Sequence, residues 1–294
     1  MNLKKIKEKA IHFFFFLTGI SAVVVLVGIF LMLLFNGLKI FKDVQFFDFF
    51  FGTTWNPSAY GEPSYGILSM IVSTFMVTLG AMIIAIPLGI GTAAYIADVA
   101  SPKIRETLKP IIEILAGIPS VAIGFIGIVM VGPLIAKTFG LTSGLNALNG
   151  SILLSVMALP TIITISEDAI RAVPRDYKEA SYALGANKWT TLIWVTLPAA
   201  FSGIIASVML GIGRAIGETM TILMVTGNAI AMPHGFFDSV RTITATIAIE
   251  LGEVPYGTSH YYALFAIGAV LFLISIGVNM VAELFIVRYR KARV

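Results

Sequence analysis

Apolar residues run through this 294-residue chain in long blocks separated by short polar stretches. Six of the blocks are long enough for a helix to cross the hydrocarbon of a bilayer, which takes about 20 residues. They predict spans at His12–Leu38, Tyr65–Asp98, Pro110–Lys137, Asn149–Ile165, Ala199–Ile230 and His260–Arg288. The second and fifth are longer than a bilayer requires, so they must tilt, bend or project beyond the lipid. Pro87, Pro119 and Pro160 fall inside predicted spans, where proline removes a backbone hydrogen bond and favours a kink. Such breaks survive in a membrane only where protein or water satisfies the freed groups. The pattern predicts an all-α polytopic membrane protein, its kinks serving either a pathway or packing.

Composition agrees. The chain is 57% hydrophobic and 12% charged, whereas soluble domains carry about 25% charged residues. It has no cysteine, which excludes disulfides and thiolate chemistry. His12, His234 and His260 are far apart and read as isolated residues rather than metal ligands. The amino-terminal basic residues and apolar run resemble a signal peptide. The run is too long and lacks a small-x-small cleavage site, so it reads as an uncleaved first span. Trp55, Tyr60 and Tyr65 on one side, and Trp189 and Trp194 on the other, suit interfacial aromatic belts.

The distribution of charge sets the expected orientation. Fifteen of the 20 Lys and Arg residues fall on one side. They are Lys4, Lys5, Lys7, Lys9, Lys103, Arg105, Lys109, Arg171, Arg175, Lys178, Lys188, Arg288, Arg290, Lys291 and Arg293. The other side carries Lys39, Lys42, Lys137 and Arg241, and Arg214 lies within a span. Positive loops stay in the cytoplasm. Both termini are therefore expected inside, in keeping with six crossings.

One segment on the basic side interrupts the membrane pattern. In "VPRDYKEASYALGANKW", Pro174 suits a first helical turn and Asp176 suits the positive end of the helix dipole. Tyr177, Ala180, Ala183 and Leu184 recur on one apolar face, and Gly185 follows as a left-handed cap. A second short helix is expected at about Asn187–Val195, closed by Leu197-Pro198. Local pattern alone leaves two uses open: packing on the chain's own spans, or docking of a separate protein.

The spacing Glu179-Ala180-Ser181-x3-Gly185-x9-Val195-x-Leu197-Pro198 resembles the EAA motif of importer-type ABC permeases. Ser181 stands for its third small residue and Val195 for its isoleucine, and both swaps are conservative. The resemblance implies a type I, MetI-like permease fold, with the loop as the helix that couples the spans to a cytoplasmic ATPase. "GIPSVAIGFIGIVMVGPLI", "GIGRAIGETMTILMVTGN" and "RTITATIAIELGEVPYGTSHYYALFAIGAVLFLISIGVN" are similar to the phosphate permease subunits of the PstC family. That similarity covers roughly residues 65–286. The sister PstA subunits share the RAIGET core. The first span and following loop match only in general character. The resemblance implies residues 1–64 as an amino-terminal span with a periplasmic segment, and 65–288 as the permease domain.

Arg214 and Glu218 are four residues apart and expected on one helical face. A charge at mid-membrane costs roughly 2.5–3.5 kcal/mol on insertion scales, so it normally faces protein or water. They read either as a buried pair that relieves this cost, or as a guanidinium that meets passing phosphate with Glu218 offsetting it. Gly211, Gly213 and Gly217 suggest close helix contact. The chain contains no G-x-x-x-x-G-K-[ST] loop for a nucleotide, no H-E-x-x-H motif and no nucleophile elbow. Glu113, Glu167 and Asp168 read as span-end pairing groups.

The resemblance therefore implies no enzyme and no cofactor on this chain, with ATP and magnesium on the partner. Implied partners are a PstA-like permease subunit, a pair of PstB-like ATPases, a PstS-like phosphate-binding protein, inorganic phosphate and membrane lipid, but no nucleic acid. The expected location is a bacterial or archaeal inner membrane. The sister PstA subunit, permeases for molybdate or sulfate, a membrane-embedded enzyme and a passive channel remain as rivals.

Overall fold

Among the described residues, six helical stretches are long and apolar enough to cross a membrane: Lys7–Lys42, Leu68–Val99, Ser120–Phe139, Ala147–Arg171, Lys188–Gly217 and Ser259–Val281. The computed structural model describes residues 3–58 and 62–291, so the belt expected at Tyr60 and the charge at Arg293 lie outside the described residues. The same holds for the side chains of Lys4, Lys5, Arg288, Arg290 and Lys291.

The described residues form thirteen α-helices and one short hairpin. In order, the first helices are α1 (Leu3–Gly37), α2 (Phe46–Phe51), α3 (Leu68–Ala94), α4 (Pro102–Gly117), α5 (Ser120–Ile126) and α6 (Gly132–Phe139). They continue as α7 (Ala147–Arg171), α8 (Arg175–Ala183), α9 (Lys188–Thr191), α10 (Leu197–Gly217), α11 (Met220–Val225), α12 (Ile243–Glu250) and α13 (Ser259–Lys291). Between α2 and α3, β1 (Trp55–Asn56) pairs antiparallel with β2 (Ser64–Tyr65).

The centre is a three-helix stack of α3, α7 and α10. Val77, Ala81 and Ala85 pack against Leu154, Ala158 and Ile162, with Ala215 and Ile222 closing the cluster. Small residues let the backbones approach, which is how membrane helices gain packing when lipid is as apolar as leucine. Gly211 illustrates the fit: a Cβ there would meet Ile162 at 2.8 Å. Gly213 and Gly217 have open space instead, so only one of the three expected contact glycines serves this role. At the start of α7, the Asn146 side chain accepts from the Asn149 N–H at 3.0 Å, a conventional N-cap.

The predicted third span is corrected. Pro110 lies within α4, which has no buried residue, and the chain turns at Ile118-Pro119, where both residues are extended. A residue before proline is biased away from helix. The crossing therefore starts at Ser120, and Pro119 sits at the break. Leu108 and Ile112 seat α4 on a cluster built from α3, α7 and α10. Arg105 pins it further, with Nε and Nη2 each donating at 3.0 Å to the Ile96 and Ala97 carbonyls.

π-turns at Tyr95–Val99, Gly127–Val131 and Leu192–Thr196 interrupt three spans. The latter two stand before Pro133 and Pro198. There the N–H of the preceding residue, Gly132 or Leu197, donates to the carbonyl five residues back. Proline brings no N–H, and a π-turn lets the helix continue across it.

At the end of the bundle away from α8, Glu250 joins three segments. It accepts from Trp55 Nε1 at 3.0 Å and Arg241 Nη1 at 2.7 Å, and its Oε2 lies 2.8 Å from His260 Nε2. His260 is thus not isolated. Trp55 and Tyr65 are buried in edge-to-face contact rather than exposed in an interfacial belt. The mixed aromatic-polar pattern that suits a belt also suits a buried ring with a hydrogen-bonded tip.

Candidate functional site

The segment between α7 and α10 folds into an elbow. Arg175–Ala183 forms α8, with Pro174 as its N-cap residue rather than within its first turn. Gly185 has φ +83°, the left-handed conformation that disfavours side chains. Its N–H donates to the Tyr182 carbonyl at 2.9 Å, and the Ala186 N–H donates to the Ser181 carbonyl at 3.1 Å. These two bonds make a Schellman cap, which satisfies carbonyls that the helix end leaves free. Asn187 then starts the next helix by accepting from the Thr190 N–H at 2.9 Å.

The elbow is held from within. Ser181 is the buried residue of α8, and its hydroxyl meets that of Thr191 at 2.9 Å. Lys178 forms an ion pair with Asp98 in the π-turn that follows α3. Next to it, buried Glu167 binds Lys109 at 2.9 Å and Arg171 at 3.1 Å, which ties α4 to α7. The expected pairing role of Glu167 is thereby met in geometry.

The predicted apolar face of α8 faces outward. Tyr177 and Leu184 are 58% and 90% exposed, and Glu179, Ala180 and Gly185 are also exposed. Trp189, Ile193 and Trp194 extend the exposed apolar surface across the second helix. An apolar, partly aromatic patch on a rigid elbow is suited to a protein partner.

The predicted end of the second helix at Leu197-Pro198 is overturned. The helix passes through both residues, because the π-turn absorbs the bond lost at Pro198. Lys188–Gly217 is one continuous rod. Arg214 stands in its last turn, about 39 Å from Lys188 at 1.5 Å per residue. The second helix of the elbow and Arg214 therefore lie on one continuous element.

Arg214 and Glu218 do not share a helical face, and among the described residues no ion pair joins them. Glu218 has ψ 132°, which ends α10 and shortens the predicted fifth span. Its carboxylate accepts from the Thr221 N–H at 3.3 Å in the first turn of α11, while its backbone carbonyl accepts from Thr244 Oγ1 at 2.9 Å. Arg214 is exposed, and its Nη1 donates to Thr161 Oγ1 at 3.4 Å. Its guanidinium keeps most of its five donors available to an anion.

Sequence reasoning missed Asp98 and Thr191. The Lys178–Asp98 partners are 80 residues apart, and nothing local announces them. The Glu167–Arg171 spacing of four was a legible signal for one of the Glu167 pairs. Among the described residues no cluster of three or more His, Cys, Asp or Glu could hold a metal.

A six-span bundle with an outward elbow on a continuous spanning helix defines a polytopic membrane protein with an exposed apolar docking surface. The chain belongs to the family of binding-protein-dependent transport system inner membrane components, whose model matches residues 85–291. A probable ABC transporter permease protein, YqgH of Bacillus subtilis, is 40% identical over 82% of this chain and 78% of its own length. The phosphate transport system permease protein PstC of Xylella fastidiosa is 32% identical over 97% of this chain and 93% of its own. In solved structures, the same fold occurs in a bacterial ABC transporter for import of alginate. It has TM-score 0.64 and 14% identity, and covers 97% of this chain and 99% of that one. The MetNI methionine transporter matches with TM-score 0.57 and 19% identity, over 76% of this chain and 94% of that one. The chain is a multi-pass membrane subunit of an ABC importer and not an enzyme.

Proposed function

We propose that this chain forms half of the translocation pathway of an ATP-driven importer of inorganic phosphate. The observation that carries the substrate is the similarity to a PstC protein along almost the whole chain. An exposed arginine inside a span supports it, because guanidinium stays charged and donates paired hydrogen bonds to a tetrahedral oxyanion. Thr161 stands beside it as a neutral donor.

The remaining half is a PstA-like subunit, and a PstS-like protein delivers phosphate from outside. ATP and magnesium bind a pair of PstB-like ATPases, with no cofactor on this chain. One ATPase seats on the Glu179–Gly185 elbow. Residues 1–64 supply an added span and external segment, and 65–288 the permease domain. Fifteen Lys and Arg residues on the elbow side against four on the other favour a cytoplasmic elbow and cytoplasmic termini in a bacterial or archaeal inner membrane.

Alternating access follows from population shift. Docking of the binding protein and closure of the ATPases favour the outward state, and hydrolysis returns the bundle inward. The test is uptake of radiolabelled phosphate by vesicles containing the whole complex, with unlabelled anions as competitors. Excess phosphate should suppress uptake, and molybdate or sulfate should not. Absence of ATP-dependent phosphate uptake, with ATP-dependent uptake of labelled molybdate or sulfate, would assign a different oxyanion.

A further inference from the structure

We propose that the end of the bundle away from the elbow holds one membrane phospholipid, its acyl chain in an apolar groove between α1, α2 and α13 and its phosphate headgroup on Lys39 and Lys42. The groove encloses about 140 Å³. Leu34 and Leu38 form one wall, Ala269 and Val270 the facing wall, and Phe46 and Phe50 the roof. One turn further along, Phe30 and Phe272 stack at 4.9 Å between centroids and close the space below.

The occupant follows from position and charge. Both walls belong to membrane-crossing helices, so the groove opens into hydrocarbon. A cavity lined this way does not hold water, which needs polar partners. Charge gives the second reason. Only Lys39, Lys42, Lys137 and Arg241 lie on this side of the chain, and two of them sit together on the short helix Leu38–Lys42. Each follows a groove-lining residue, Leu38 or Phe41. Lys39 is steadied by Asn36 Oδ1 at 3.1 Å and lies 4.9 Å from the centre of the Tyr262 ring. Lys42 is exposed, and among the described residues no hydrogen bond or ion pair engages its side chain. The neighbouring Asp43 carboxylate is engaged by Ser259 Oγ at 2.6 Å, and Asp48 is exposed on α2.

The two parts contribute differently. Lipid tails are as apolar as the groove, so chain insertion gains packing but little selectivity. The lysines supply the preference for an anionic headgroup. The site lies on a different element from the elbow and from Arg214.

The test uses the purified full complex, delipidated and titrated with phosphatidylglycerol or phosphatidylcholine, with retained lipid counted by native mass spectrometry. One phosphatidylglycerol per copy of this chain is expected. Ala269→Phe should reduce its retention about tenfold. The double variant Lys39→Gln/Lys42→Gln should erase the preference over phosphatidylcholine, while Lys137→Gln leaves it intact. Retention unchanged in Ala269→Phe overturns the groove. If that variant does not assemble, the lysine pair decides alone: a preserved phosphatidylglycerol preference, or an equal loss in Lys137→Gln, overturns the site.

Discussion

Ser181 and Thr191 meet through their hydroxyls, 2.9 Å apart, at the buried inner corner of the elbow. This contact fixes the angle between α8 and the rod that leads to Arg214. A hydrogen bond of this kind contributes about 1 kcal/mol net, and an orphaned buried hydroxyl costs about 1–3 kcal/mol. Thr191→Val should thus loosen the elbow without unfolding the spans. Phosphate-stimulated ATP hydrolysis by the whole complex should fall, while yield in the membrane holds. Unchanged coupling would show that the angle does not matter.

Gly185 makes a sharper test of the same elbow. A left-handed residue with a side chain costs about 1–2 kcal/mol, least for Asn and more for β-branched residues. Gly185→Val should lose the co-purifying ATPase, and Gly185→Asn should retain most of it. Equal loss in both would mean that side-chain bulk at the docking face, not backbone conformation, is the cause.

Arg214 separates pathway from scaffold. Arg214→Gln should preserve complex assembly and lower phosphate uptake about tenfold or more, the equivalent of one lost charge-assisted hydrogen bond. Arg214→Lys should recover part of the flux, since a point charge replaces a planar fork. Failure of Arg214→Gln to assemble would make the residue structural.

Glu167 should matter for stability rather than transport specificity. It is 3% exposed at the side chain, between cations that are 35% and 46% exposed. Glu167→Ala should destabilise by about 1–3 kcal/mol, because both cations lose their partner while solvent at Lys109 and Arg171 limits the cost. Thermal unfolding of the complex in detergent reads this directly.

Asp238 gives the loop between α11 and α12 a pH dependence. The backbone N–H groups of His234 and Gly235 donate to its carboxylate at 2.7 and 2.9 Å and hold its pKa below the ordinary value. The charged form therefore favours the folded loop. Its contribution is present above the ordinary carboxyl pKa of about 4 and is lost as pH falls through the lower folded value. Protease susceptibility of the 231–242 loop should rise on acidification, and Asp238→Asn should remove that dependence.

Much of this was legible in the chain. Apolar runs announce spans because lipid forbids unsatisfied backbone, so all six crossings could be placed. The Asp176, Gly185 and Asn187 signals are local chemistry, and they fold as their types require. The breaks were harder. Pro119 divides an apolar run into an amphipathic helix and a crossing, whereas Pro198 is bridged by a π-turn, and hydropathy distinguishes neither outcome. Glu218 looked like a helical partner of Arg214 because four-residue spacing assumes a helix that continues past Gly217. The burial of Trp55 and the pairing of Lys178 with Asp98 depend on segments distant in sequence, which periodicity does not encode.

The most direct test of the central claim, that force enters through a cytoplasmic elbow from a separate ATPase, uses the absence of native cysteine. Leu184→Cys places a single thiol at the 90% exposed tip of the elbow. A membrane-impermeant maleimide should leave it unlabelled in intact cells and label it in inverted vesicles stripped of the ATPase, with restored ATPase blocking the reaction. Labelling in intact cells, or labelling indifferent to the ATPase, would contradict the account.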